Sequence, residues 1–269
     1  KPTQVKKNPI FENLNSNLKL NSFTPAADLN SIEVKSLTVS LDNQKNQIQN
    51  VDFTISQGST LAIVGRNGSG KSTLLNALVG FVPIKSGQII LDPDDVTNSD
   101  IITRAKRISY NLQQPTLMIS ELTVLEEVKA PLDNFEVDNS EALAIDILKK
   151  LELYPYRNWP LTALSFGQLK RVTIASSIVL NPEILLLDEP TAGLDKQNQE
   201  ILFKVLDELR KNGTTIIYVT HDMELATNFA NKILLLKDGE VQIFLSSKEF
   251  AKDKTLLIEA ELIAGGEDK

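Results

Sequence analysis

The chain has 269 residues and no cysteine, which excludes disulfide staples, thiolate catalysis and zinc ribbons, and is compatible with a reducing compartment. Basic residues are in short supply: 28 Lys and Arg stand against 35 Asp and Glu, for a net charge of −7. That balance opposes a primary role on nucleic acid, where a basic face is expected. Long hydrophobic runs are missing too, the apolar stretches being as short as residues 184–187 and 234–236. A bilayer-spanning helix needs roughly 20 apolar residues, so any membrane association is expected to pass through a partner. The N-terminus is rich in Asn and Lys and lacks the apolar centre of a secretory signal. What remains is ordinary for a globular protein with a sizeable core: 42% apolar and 23% charged residues.

Residues 1–30 are rich in Asn, Lys, Ser and Pro and are expected to form a flexible tail or linker. Alternating apolar residues then predict two strands, one through Ile32, Val34, Leu37, Val39 and Leu41, the other through Ile48, Val51, Phe53 and Ile55. Residues 42–46 read as a polar turn between them. Residues 59–64 read as a buried strand running straight into a glycine loop, and 74–79 as a helix stopped by Gly80. Ser86-Gly87 reads as a turn before a strand at 88–91, and the apolar spacing over 140–153 is helical. Strands at 184–187, 215–219 and 232–236 alternate with helices at 197–211 and 223–230. Apolar strands alternating with helices predict an α/β fold with a mostly parallel central sheet covered on both faces. Residues of about 116–177 carry no strand signal and are expected to form a mostly helical subdomain.

Gly65-Arg66-Asn67-Gly68-Ser69-Gly70-Lys71-Ser72-Thr73 fits the phosphate-loop pattern, set between a strand and a helix as its mechanism requires. Its glycines let backbone N–H groups curl around phosphates, and the helix N-terminus adds partial positive charge. Lys71 can reach the β- and γ-phosphates, and the Ser72 hydroxyl can ligate Mg²⁺. Residues 184–187 lead into Asp188 and Glu189 at a strand's end, where open parallel sheets face their ligands. Asp188 is expected to hold Mg²⁺ through a water, and Glu189 to orient and polarise the attacking water. His221, the only histidine, follows another apolar strand and is expected to contact the γ-phosphate and hold water and Glu189 in line. Gln113 follows a strand-like segment and is a candidate to sense Mg²⁺ and the attacking water, although Gln114 beside it leaves the choice of glutamine open. Finally, Leu164-Ser165-Phe166-Gly167-Gln168 opens a helix whose N-terminus, with Ser165 and the backbone near Gly167, is an anion site. If the helical insert projects from the sheet, that site serves a neighbouring chain's nucleotide.

Taken in order, these motifs resemble the nucleotide-binding subunit of an ABC transporter over about residues 32–263. The resemblance implies a P-loop NTPase with an N-terminal antiparallel β subdomain, an ATPase domain over 31–245 carrying the helical signature subdomain, and a short C-terminal helical extension over 246–269. It implies ATP and Mg²⁺ as cofactors. Gly65 to Thr73 would bind ATP, with Ser72, Gln113 and Asp188 serving the metal and Lys71, Gln113, Glu189 and His221 serving hydrolysis. Ser165, Gly167, Gln168 and Asp195 would act on the ATP of a second ABC ATPase subunit, in a homodimer or heterodimer. The complex would sit with transmembrane transporter subunits at the cytoplasmic face of the membrane.

Two positions depart from the family pattern. Phe166 stands where the signature usually has Gly, and Leu41 falls where an aromatic residue stacks on adenine; Leu41 can pack on the base but lacks a π face. The Ser-Phe-Gly-Gln variant and the C-terminal segment resemble energy-coupling-factor and cobalt-type importers of vitamins or transition-metal ions. Another ABC transporter, exporters included, and a soluble ABC ATPase are the alternatives. The start at Lys1 also fits a piece of a longer protein, such as the second half of a fused double ATPase.

Overall fold

The computed structural model describes residues 30–40 and 46–253. The N-terminal tail, Leu41 and the segment from residue 254 onward lie outside the described residues. Two sheets organise the chain. The first is antiparallel, in the order β2-β1-β4-β5, built from β1 (Asn30–Ser40), β2 (Asn46–Ser56), β4 (Ile84–Leu91) and the two-residue β5 (Asp94–Asp95). The second contains β3 (Thr60–Val64), β6 (Ile108–Asn111), β7 (Ile184–Asp188), β8 (Thr215–Val219), β9 (Lys232–Lys237) and β10 (Glu240–Ser246). Its order is β10-β9-β3-β8-β7-β6, parallel throughout except for the β9–β10 hairpin.

The continuous apolar runs of the central strands follow from burial on both faces. Successive side chains point to opposite sides of a strand. Ala62, Val64, Leu185, Leu187, Ile216 and Tyr218 therefore enter one core cluster. Their neighbours Leu61, Ile63, Ile184, Leu186, Ile217 and Val219 enter the other. The first cluster packs against α3 (Val124–Asn134), α4 (Ser140–Lys150), α5 (Phe166–Ile178), α6 (Lys196–Lys211) and α7 (Met223–Phe229). The second packs against the antiparallel sheet and α1 (Lys71–Val79). Two short helices, α2 (Ile101–Ala105) and α8 (Ser247–Phe250), complete the described chain.

Three expectations change. The turn at Ser86-Gly87 is absorbed into β4, opposite a register shift between Lys35 and Thr38 of β1. Gly87 takes φ 97°, and a Cβ there would stand 2.5 Å from the carbonyl oxygens of Lys35 and Ser36. The turn signal was a bulge signal, which glycine serves equally well. The helix over 140–153 ends at Lys150, because Glu152 turns left-handed (φ 56°) and the Leu153 N–H folds back onto Leu148 O at 2.7 Å. Leu151 and Leu153 remain buried just past that cap, which is why they fit the helical spacing. Strand β10 had not been anticipated, although the Asp238-Gly239 dipeptide before it is a two-residue hairpin signal.

Candidate active site

A cavity of about 340 Å³ opens where β3, β7 and β8 end, lined by Asn67, Gly68, Gly70, Lys71, Ser72 and Thr73 together with Gln113, Asp188, Glu189 and His221. The sequence places these in four separate segments, and parallel register brings them together. β8 lies between β3 and β7, so the three parallel strands deliver the glycine loop, the paired carboxylates and the histidine to the C-terminal end of the sheet.

The loop follows the fully buried β3. Gly65 takes φ 144°, and a Cβ there would run into the Leu236 carbonyl of β9, so the loop leaves the sheet only at a residue without one. It then tightens through Ser69 N–H to Arg66 O at 3.1 Å and enters α1 at Lys71. The first turn of a helix has no intrahelical acceptors for its N–H groups, so those of α1 face the cavity as anion donors. Lys71 is buried and donates to Gly65 O at 2.7 Å and Arg66 O at 2.9 Å. Gly65, Arg66 and Ser69 do not line the cavity; Arg66 and Ser69 face a second hollow with Lys237 and Asp238.

Opposite the loop, the Ser72 hydroxyl donates to Asp188 Oδ2 at 3.0 Å. Burial, and then the adjacent Asp188 carboxylate, push the Tyr110 phenol above its usual range. Hard oxygen donors of this kind suit Mg²⁺, which keeps waters and shares its shell with phosphate rather than sitting in an all-protein cage. Among the described residues, no group of three or more His, Cys, Asp or Glu side chains could hold a metal ion.

Glu189 sits one residue beyond β7 in the left-handed region (φ 48°), with its N–H on Val219 O at 3.1 Å. Its side chain is 13% exposed, and Nε2 of His221 lies 3.4 Å from its Oε1. That contact is not aligned as a hydrogen bond, and Oε1 is buried without a hydrogen-bond partner. Burial above all, with the Asp188 charge beside it, raises the Glu189 carboxyl to about 7 against the opposing His221 backbone N–H and the Lys71 and Lys170 charges.

Of the two neighbouring glutamines, Gln113 lines the cavity and Gln114 does not. Sequence reasoning missed Asn46, Gln47, Asp238 and Gly239, which also line it. Their signals were the polar turn before β2 and the Asp-Gly hairpin. It also missed Lys170, a fully buried lysine whose ammonium burial pushes down to about 8, with Asp188 and Glu189 opposing.

Ser165, Gly167, Gln168 and Asp195 line no part of this cavity. Exposed Ser165 caps α5 in a reciprocal pair with Gln168: the Ser165 N–H donates to Gln168 Oε1 at 2.9 Å, and the Gln168 N–H to Ser165 Oγ at 3.3 Å. Asp195 caps α6 by accepting from the Asn198 N–H at 2.8 Å. The two helix starts adjoin, since a Cβ on Gly167 would meet Leu194 at 3.4 Å and Asn198 at 3.7 Å. These four residues thus form a second cluster apart from the first. Leu41 lies outside the described residues.

Comparison with known proteins identifies the family. Residues 48–192 match the ABC transporter family. A putative ABC transporter ATP-binding protein of Streptococcus agalactiae is 42% identical over 241 residues, covering 87% of this chain and 43% of the relative. The chain thus spans less than half the length of the curated relatives it matches. Among solved structures, cbiO1 from Clostridium perfringens, part of the ABC transporter complex cbiONQ, superposes with TM-score 0.77 at 29% identity, over 88% of this chain and 96% of that one. The dimeric post-hydrolysis ATP-binding cassette MJ0796, bound to ADP and Pi, gives TM-score 0.73 at 32% identity, over 80% and 98%. With its antiparallel sheet, mostly parallel central sheet and phosphate loop, this chain belongs to the ABC transporter ATP-binding family, the P-loop ATPases of ABC transporters.

Proposed function

We propose that this chain binds and hydrolyses ATP to energise a membrane transporter, as one of two cassettes that sandwich two nucleotides. The observation that carries the reading is the division of its motifs. The phosphate loop, Gln113, Asp188, Glu189 and His221 share one cavity, while Ser165, Gly167, Gln168 and Asp195 lie together outside it.

In this reading the loop amides and Lys71 bind the phosphates, with Lys71 exchanging loop carbonyls for phosphate oxygens. Ser72, Gln113 and Asp188 would hold Mg²⁺, which supplies positive charge to the β- and γ-phosphate oxygens when bound. Glu189, held in the left-handed region beside His221, orients and polarises a water for attack on the γ-phosphate. His221 contacts the γ-phosphate and keeps Glu189 in line. Leu41, outside the described residues, would be the contact for the base. Ser165 and Gly167, at the N-terminus of α5, present donors to the phosphates bound by the partner cassette, with Gln168 and Asp195 beside them.

No helix among the described residues is long and apolar enough to cross a membrane. In this reading the membrane step belongs to partner subunits, with the cassette at the cytoplasmic face. The likeness to cbiO1, part of the cbiONQ complex, supports an energy-coupling-factor or cobalt-type importer, with a vitamin or transition-metal ion as cargo. The cassette is taken as residues 31–245, with its helical subdomain at about 116–177 and a short extension beyond. A second arrangement, in which the partner cassette lies in the same polypeptide, is favoured by relatives more than twice as long as the matched region.

The test separates the two clusters. In a Glu189→Gln background, Mg·ATP is expected to convert the chain from monomer to dimer by light scattering. Adding Ser165→Arg is expected to abolish the dimer while the monomer's ATP affinity stays within about threefold. Loss of monomer affinity in that variant would show that Ser165 serves its own chain's nucleotide.

A further inference from the structure

Lys170 is fully buried, and its ammonium donates to three backbone carbonyls: Leu112 O at 2.8 Å, Gln113 O at 3.1 Å and Asp188 O at 3.4 Å. An ammonium has three N–H donors and no acceptor, so each donor has one partner. The acceptors belong to the ends of two neighbouring strands. Leu112 and Gln113 follow β6, Asp188 ends β7, and these strands pair in parallel with Asn111 opposite Leu187. The lysine itself comes from a third element, α5, whose cap is Ser165.

A hydrocarbon side chain would fill this space without burying a charge, and packing alone therefore gives no reason for a lysine here. What the ammonium adds is placement of two backbone groups. The peptide joining Asp188 to Glu189 is held at both ends, its carbonyl by Lys170 and its N–H by Val219 O at 3.1 Å. That peptide precedes the left-handed Glu189, a conformation that persists only where surrounding contacts over-determine it. The other two bonds hold the backbone of Gln113, which lines the cavity, from the α5 side. From the opposite side the Leu112 N–H rests on Met118 Sδ at 3.1 Å.

We propose that Lys170 is a positioning residue for hydrolysis, tying Gln113 and Glu189 to α5 through the backbone carbonyls of Leu112, Gln113 and Asp188. The inference rests on the catalytic reading of Glu189 given above. It places the start of the signature helix and two residues of the chain's own cavity on one rigid connection, so that a shift of α5 is felt at both.

The test uses Lys170→Met, which keeps length and apolar bulk but removes every donor, and Lys170→Gln, whose amide restores two donors. In the full chain, Lys170→Met is expected to lower kcat for ATP by about tenfold or more, with KM and the Kd for a non-hydrolysable ATP analogue within about threefold. Lys170→Gln is expected to recover part of the lost kcat. Hydrogen exchange is expected to quicken at residues 112–114 and 188–190 without spreading to β3 or β8. The proposal is overturned if Lys170→Met keeps kcat within about twofold, or if kcat and nucleotide affinity fall together. Should Lys170→Met not fold, Lys170→Leu, which also removes every donor, decides by the same readings: reduced kcat with unchanged Kd supports the proposal, and wild-type kcat overturns it. Glu189→Gln is run in parallel. Turnover retained there overturns the catalytic reading and this inference with it. Turnover lost there but kept in Lys170→Met overturns this inference only.

Discussion

The ring of Phe166 lies directly over Gly193: a Cβ on Gly193 would stand 2.5 Å from Phe166 Cε1 and 2.7 Å from Cδ1. Gly193 also has φ 75°, a conformation that favours glycine. The bulky residue in the signature and the glycine two positions before Asp195 are therefore fitted to each other, and the fit seats the start of α5 against the start of α6. Gly193→Ala is expected to cost about 1–2 kcal/mol, from the backbone and the displaced ring together. Phe166→Ala, at a ring already half exposed, is expected to cost less than about 1 kcal/mol. If contact is the cause, the double variant loses less than the sum of the two. Urea melts of the four proteins measure this cycle, and strict additivity would show that ring and glycine are independent.

The raised carboxyl of Glu189 makes stability depend on pH with a definite sign. Its folded-state pKa of about 7 lies above the ordinary 4.5. The folded state therefore binds the proton more tightly, and this contribution is fully present below about pH 4.5 and lost as pH rises through about 7. Glu189→Gln mimics the neutral form and should gain stability relative to wild type across that window. The gain expected at pH 8 without nucleotide or Mg²⁺ is about 2 kcal/mol, allowing for partial solvent contact, and it should vanish near pH 4. Thermal melts of both proteins from pH 4 to 8 would show it, and a pH-independent difference would contradict the assignment.

Gly65 is expected to tolerate no side chain. Its Cβ would meet the Leu236 carbonyl, part of a β9 that is fixed between β3 and β10 and cannot yield as a flexible side chain would. Gly65→Ala should cost about 3 kcal/mol or abolish nucleotide binding. Gly68→Ala, whose Cβ would meet nothing within 4 Å, should retain the fold and lose only about 1 kcal/mol to its left-handed backbone. Comparing their melting temperatures decides whether the close approach or the backbone angle matters more.

The Ser72–Asp188 pair predicts how binding responds to the metal. Ser72→Ala is expected to lower ATP affinity about tenfold in Mg²⁺ and to change it less than about twofold in EDTA, because the hydroxyl reaches the carboxylate side of the cavity. Equal losses in both buffers would assign Ser72 to phosphate rather than metal.

Much of this was legible in the sequence for a physical reason. Strands such as β3, β7 and β8 are buried on both faces, so they appear as unbroken apolar runs, and the glycine loop and the Asp188-Glu189 pair follow directly from two of them. What stayed hidden depends on backbone groups distant in sequence. Lys170 lies on a helix buried on nearly all sides, where a lysine reads as the solvent face. Its acceptors on Leu112 and Gln113 are 58 and 57 residues away and leave no trace in composition or spacing. Gly87 was read as a turn because a bulge asks the same of glycine, and β10 was missed because its mixed burial gives only weak alternation.

The most direct measurement is phosphate release from Mg·ATP by the wild-type chain and by Glu189→Gln, alongside their ATP affinities. The expected result is similar affinity in both, with turnover lower in Glu189→Gln by a factor on the order of 100 or more. Unchanged turnover in Glu189→Gln would contradict the assignment of Glu189, and with it the reading of this cavity as the site of hydrolysis.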